Sequence, residues 1–135
     1  MTRFEMKKET IFITGGAGFI GTQLCRELIS LNSEIQIVLY DNLHPQVHGK
    51  KQTFHPEHPQ ITFIKGDIQN ADELTGCLEL TQPTVIYHLA AETGTGQSYD
   101  EPVRYCSVNV GGTANLIEGI RAIDSVKKVI LAGSR

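Results

Sequence analysis

The chain has 135 residues, 40% hydrophobic and 20% charged, a composition close to that of ordinary globular domains and far from the disordered or collagen-like extremes. Twelve Lys and Arg against fifteen Asp and Glu give a net charge of -3, with the basic residues in scattered pairs such as Lys7-Lys8 and Lys127-Lys128. Nucleic acid, which needs several cations on one face, is therefore not an expected partner. The N-terminal segment is polar and no run approaches the ~20 apolar residues of a membrane span, so a soluble, cytoplasmic protein with no membrane partner is expected.

Thr10–Thr14 is a short β-branched and aromatic run that ends at Gly15-Gly16 and reads as a buried strand. Phe19–Leu31 follows as a helix, with Ile20, Leu24, Leu28 and Leu31 as its apolar stripe and Asn32 as its stop. Ile35–Tyr40 is a second strand, closed by Asp41-Asn42. Residues 43–60 hold four of the five histidines and three of the five prolines, which predicts a long loop or insertion. His44/His48 and His55/His58 have helix-like spacings, but Pro45, Pro56 and Pro59 interrupt them, so no metal site is expected. Ile61–Ile64 is a third strand, Ala71–Leu80 a short helix, and Thr84–Leu89 a fourth strand after Gln82-Pro83. The small, polar run 90–98 reads as a loop at a strand's carboxyl end.

A longer helix is predicted from Asp100 to Ala122, with Pro102 tolerated in its first turn. Gly111 and Gly112 weaken it by about 1 kcal/mol each relative to Ala, which calls for close packing on the sheet. Lys127–Ala132 is a fifth strand. Alternating strands and helices imply an α/β fold: a Rossmann-like, doubly wound parallel sheet of about five strands with helices on both faces. Cys25, Cys77 and Cys106 are an odd, widely spaced set, expected to be reduced rather than bridged.

Gly15-Gly16-Ala17-Gly18-Phe19-Ile20-Gly21 lies between the first strand and its helix. It satisfies both G-x-G-x-x-G (Gly16, Gly18, Gly21) and G-x-x-G-x-x-G (Gly15, Gly18, Gly21). Glycine is needed there for a tight turn, for close backbone approach to a pyrophosphate, and for a helix seated near its strand. The helix's first N–H groups then point at the anion. Asp41, 20 residues past Gly21 at the end of the second strand, is placed to accept hydrogen bonds from an adenosine ribose. Its charge would repel a 2'-phosphate, which favours NAD over NADP. Asp67 fits equally a turn carboxylate or an acceptor for adenine N6, and Leu89-Ala90-Ala91 either tight packing or a cofactor wall. No Gly-Lys-[Ser/Thr] follows the turn, which excludes a nucleoside-triphosphate P-loop.

Taken together, TGGAGFIG (14–21), Asp41-Asn42-Leu43, Gly66-Asp67-Ile68, HLAAET (88–93), Asn109-Val110 with Gly112-Thr113, and VILAGS (129–134) resemble the extended short-chain dehydrogenases/reductases. The likeness is to their NAD-dependent nucleotide-sugar epimerase and dehydratase group. It implies that Gly15, Gly16, Gly18, Phe19, Ile20 and Gly21 form the pyrophosphate turn. Asp41 and Asn42 would hold the adenosine ribose, Asp67 and Ile68 the adenine. Leu89, Ala90, Ala91 and Thr93 would line the path to the nicotinamide ribose, and Asn109 would support the active-site backbone from beneath. Ser134 would be the catalytic serine beside the reacting sugar oxygen, and Glu92–Ser98 would face the substrate. The implied substrate is a nucleotide-diphospho-sugar, and the resemblance allows a homodimer.

The family's general base is the Tyr of Tyr-x-x-x-Lys. Four residues after Tyr40, Tyr87, Tyr99 and Tyr105 stand His44, Ala91, Val103 and Asn109. Residues 1–135 therefore read as an incomplete dinucleotide-binding domain, without a sixth strand or a substrate domain, and inactive alone. A non-catalytic module that senses NAD or scaffolds a partner is the reading from a different class, favoured by that missing tetrad.

Overall fold

In the computed structural model, which describes residues 9–50 and 53–133, the apolar runs form five parallel strands. These are β1 (Thr10–Thr14), β2 (Gln36–Asp41), β3 (Ile61–Lys65), β4 (Val85–His88) and β5 (Lys128–Leu131). They stand in the order β3-β2-β1-β4-β5. The central strands carry unbroken apolar runs, residues 11–13 and 37–40, because both faces of a parallel sheet are covered. Side chains alternate across β1 and β2. Ile11, Ile13, Ile37 and Leu39 pack on one face with Cys25, beneath α1 (Phe19–Leu31), and Phe12, Val38 and Tyr40 pack on the other. Leu74 and Leu78 of α3 (Ala71–Thr81) cover that second face together with Val108 and Leu116. Helices thus lie on both sides of the sheet, and the doubly wound α/β architecture stands as expected. Among the described residues no helix is long and apolar enough to cross a membrane.

The first helix has the predicted bounds and ends at Asn32, whose N–H reaches the Leu28 carbonyl. Its buried face differs from the predicted stripe. Gly21 and Cys25 are buried, with Leu24, Leu28 and Ile29 packed beside them, whereas Ile20 and Leu31 are exposed. Spacing alone could not locate the face, because the close approach to Gly16, in the turn after β1, is made by Gly21, which has no side chain. Burial pushes the Cys25 thiol up to about 11, so this cysteine is an inert core residue.

Two segments depart further from expectation. The 43–60 connection includes a four-residue helix, α2 (Pro45–His48), which the His44 side chain caps by accepting from the Gln46 N–H. The 90–98 segment is likewise not all loop: α4 (Thr95–Asp100) begins within it. The long helix begins at Pro102 rather than Asp100, because Glu101 before the proline takes φ -127°, ψ 53° and breaks the run. From there α5 (Pro102–Cys106) passes through a π-helical stretch, Ser107–Gly112, into α6 (Thr113–Arg121). Of the two glycines predicted to pack closely, Gly112 does, with no room for a Cβ beside the Ile68 side chain. Gly111 faces open space, and nothing in its surroundings explains the residue.

Candidate functional site

The strand order reverses between β1 and β4, which leaves a crevice at the carboxyl edge of the sheet. A cleft of about 280 Å³ occupies this edge. Its floor is the glycine turn. Gly15 has φ +66°, and a Cβ there would stand 2.8 Å from the Ala90 nitrogen, so only glycine lets β1 end so close to β4. Gly21 and Gly16 interlock in the same manner, a Cβ on Gly21 falling 2.5 Å from the Gly16 carbonyl oxygen. Gly18 caps α1 without a side chain, which leaves first-turn N–H groups, Phe19 and Ile20 among them, at the cleft without a capping acceptor.

Asp41 ends β2 directly behind this turn. Its Oδ2 accepts from the Ala17 N–H at 3.1 Å and its Oδ1 from the Leu43 N–H at 2.8 Å. The carboxylate, 8% exposed, thereby fastens the turn to the second strand while still facing the cleft. Beside it Asn42 donates to Asp67 Oδ2 at 3.0 Å, and Asp67 Oδ1 accepts from the Gln69 N–H at 2.9 Å. The Tyr40 hydroxyl donates to the Asp67 carbonyl. Burial, aided by the Glu73 charge, raises the pKa of that phenol, so it stays neutral.

The opposite wall rests on a buried relay whose proton positions follow from its partners. The Thr113 hydroxyl donates to the Asn109 carbonyl at 2.6 Å, so its oxygen receives the His88 Nε2–H at 2.9 Å. His88 Nδ1 then accepts from the Thr14 hydroxyl at 2.6 Å. Thr14 Oγ1 in turn accepts the N–H groups of Leu89 and Ala90, both at 3.2 Å. This sequence requires a neutral imidazole, and burial lowers the His88 pKa accordingly. Asn109 continues the chain of contacts. Its Nδ2 donates to the Glu92 carbonyl at 3.0 Å and its Oδ1 accepts the Glu92 N–H at 2.8 Å.

Side chains then close the cleft's mouth. Glu92 Oε2 takes a hydrogen bond from Arg104 Nη2 at 3.1 Å, and Glu92 Oε1 lies 3.9 Å from His44 Nε2. Gln46 on α2 donates to Gln97 Oε1 at 2.9 Å and to the Thr93 carbonyl at 3.4 Å. Tyr105 donates to the same carbonyl at 2.9 Å.

Gly15, Gly18, Phe19, Ile20, Gly21, Asp41, Asn42, Asp67, Ile68, Leu89, Ala90, Ala91 and Thr93 all line this one cleft. Gly16 faces away from it, against Leu39 and the Ile13 carbonyl. Asn109 sits behind Glu92, and Ser134 lies outside the described residues. Sequence reasoning missed His44, Gln46, His48 and Arg104. Nothing local marks His44, Gln46 and Arg104, whose partners across the cleft stand 12 to 58 residues away in the chain, and His48 approaches Asp41 only through the turn between them. Among the described residues no three His, Cys, Asp or Glu side chains come together to hold a metal ion.

Residues 12–135 match the family described as GDP-mannose 4,6 dehydratase. The chain belongs to this family. The extended short-chain dehydrogenase/reductase resemblance, with its epimerase and dehydratase group, is thereby borne out. A dTDP-L-rhamnose 4-epimerase of Burkholderia thailandensis is 40% identical over 93% of this chain and 34% of its own length. The crystal structure of UDP-glucose 4-epimerase from Brucella ovis in complex with NAD superposes with a TM-score of 0.73 at 28% identity, over 94% of this chain and 38% of that one. The UDP-glucose 4-epimerase of Thermotoga maritima with UDP-glucose gives 0.78 at 27% identity, over 93% and 38%. The chain therefore spans little more than a third of the length of these three relatives.

Proposed function

We propose that this chain is the NAD-binding part of an enzyme that epimerises or dehydrates a nucleotide-diphospho-sugar. The observation that carries the reading is the Asp41 Oδ2 bond to the Ala17 N–H, which holds the acid at the end of β2 against the glycine turn, the pairing that a ribose and a pyrophosphate would need. The cradle suits a dinucleotide. A Cβ would fill it at Gly15, uncapped helix N–H groups face it, and it carries an acid where a ribose diol needs an acceptor. The names of the relatives support the same reading, one of them an NAD complex and another a UDP-glucose complex.

Phe19 and Ile20 N–H groups would face the pyrophosphate, Asp41 and Asn42 the adenosine ribose, Asp67 and Ile68 the adenine. Leu89, Ala90, Ala91 and Thr93 would wall the path to the nicotinamide, whose bound form supplies a hydride acceptor and donor for a sugar carbon. Asn109 acts through the backbone of Glu92, and Ser134 would hydrogen-bond the sugar oxygen. No Tyr of this sequence has Lys four residues on, and proton abstraction by a poised base is worth roughly 10²–10⁴-fold. The chain alone would bind cofactor and turn over sugar poorly. Calorimetric titration with NAD and NADP tests the assignment: NAD binds at least about tenfold more tightly, the effect of about 1.4 kcal/mol of repulsion at Asp41. A preference for NADP would overturn it.

A further inference from the structure

One group on the cleft wall has no place in that account. His48 closes α2, its side chain 12% exposed, with Nε2 3.7 Å from Asp41 Oδ1. That separation is longer than a hydrogen bond, and the imidazole finds no hydrogen-bond partner among the described residues. Its nitrogens are not sealed from solvent, so a donor there stays available to a group that enters the cleft. Asp41 is in a related position. Each of its oxygens accepts one backbone N–H, at 2.8 and 3.1 Å, and each retains acceptor capacity.

The wall thus offers an acceptor and a donor 3.7 Å apart, both facing the cleft. The spacing selects the chemistry of the occupant. A hydroxyl oxygen placed about 2.7–2.9 Å from each gives its proton to the carboxylate and takes the imidazole's N–H on a lone pair. A phosphate oxygen brings acceptors only and a charge that Asp41 repels. An ammonium brings donors only and leaves the imidazole unsatisfied. We propose that His48 is a specificity-determining residue of the dinucleotide site, donating to the same adenosine ribose hydroxyl whose proton goes to Asp41. The assignment rests on the NAD reading above and adds a second ligand to the ribose. If that hydroxyl is the 2'-OH, the pair also disfavours NADP, whose 2'-phosphate would take its place.

The test titrates the chain, as wild type, His48→Phe and His48→Gln, with NAD and with its 2'-deoxyadenosine and 3'-deoxyadenosine analogues. Thermal unfolding of each variant confirms that it is folded. Wild type should lose affinity for one of the two analogues, which identifies the hydroxyl. His48→Phe should bind NAD about two- to tenfold more weakly, the span of one net hydrogen bond, and the penalty for that deoxy analogue should shrink by the same factor. His48→Gln, which keeps an N–H donor, should recover part of both effects. A purely structural role would weaken NAD and its analogues alike and leave the deoxy penalty unchanged. That outcome, or NAD affinity unaltered in His48→Phe, would overturn the assignment of His48 and leave the NAD reading standing. Wild type that takes up no NAD would overturn both.

Discussion

On one side of the cleft, the glycine turn meets β1, β2 and β4 through backbone: Gly15 against Ala90, Gly21 against Gly16, Ala17 N–H on Asp41. On the other side, α2 meets the 92–105 segment through the long side chains of Gln46, Gln97, Glu92 and Arg104. The first contact has no slack. At Gly15 and Gly21 each atom that touches belongs to the main chain, so one added methyl must move a strand or a helix. The second is made by partly exposed side chains with several rotatable bonds, which exchange partners with water at little cost. A phosphate-binding floor has to be preorganised, because its N–H groups gain from the anion only in one geometry. A rim that a dinucleotide must pass has to open.

The sharpest way to break the comparison is to put a methyl on the floor and the same methyl on a glycine with free space. Gly15→Ala forces φ +66° on a β-carbon aimed at the Ala90 backbone, and should destabilise the fold by at least about 2 kcal/mol in urea unfolding. If its midpoint matches wild type, the floor is not the rigid half. Gly111, with open space around it, supplies the control, and Gly111→Ala should be neutral or slightly stabilising.

Next comes the relay behind the second wall. His88→Phe keeps the bulk of the ring but leaves the Thr14 hydroxyl proton without an acceptor and the Thr113 oxygen without its donor, an expected loss of about 2 kcal/mol. The same residue should give stability a pH dependence. Because burial lowers its folded pKa, His88 binds a proton more readily when unfolded. Its contribution is therefore complete above the ordinary histidine value of about 6.5 and is lost as the pH falls from there through the lowered native value. Unfolding midpoints at pH 7.5 and 5 should differ more in wild type than in His88→Phe. Equal differences would remove His88 as the titrating group.

The smallest effect belongs to the rim. Gln46→Ala removes its hydrogen bonds to Gln97 and Thr93, yet should change stability by less than about 0.5 kcal/mol while speeding cofactor release in stopped-flow displacement. A large stability loss would mean that the rim is as rigid as the floor.

The difference between the halves also explains what could be read from the sequence. Gly15–Gly21 and Asp41 were legible because a backbone constraint leaves a residue type at a fixed offset, and Phe19–Leu31 because a glycine turn and Asn32 bracket it. The sheet followed from β-branched runs that have no other place to be buried. The rim was not legible. Gln46 and Gln97 meet 51 residues apart, and nothing near either announces the pairing. The breaks at Glu101 and Ser107–Gly112 escaped for another reason: the apolar spacing continues through them, and only the proline, together with the Thr113 bond to the Asn109 carbonyl, accompanies the altered backbone.

The most direct test of the central claim is a crystal structure of the chain grown with NAD. The adenosine ribose should lie with a hydroxyl within about 3 Å of the Asp41 carboxylate and the pyrophosphate over the start of α1. A dinucleotide bound elsewhere, or one whose ribose turns away from Asp41, would contradict the account.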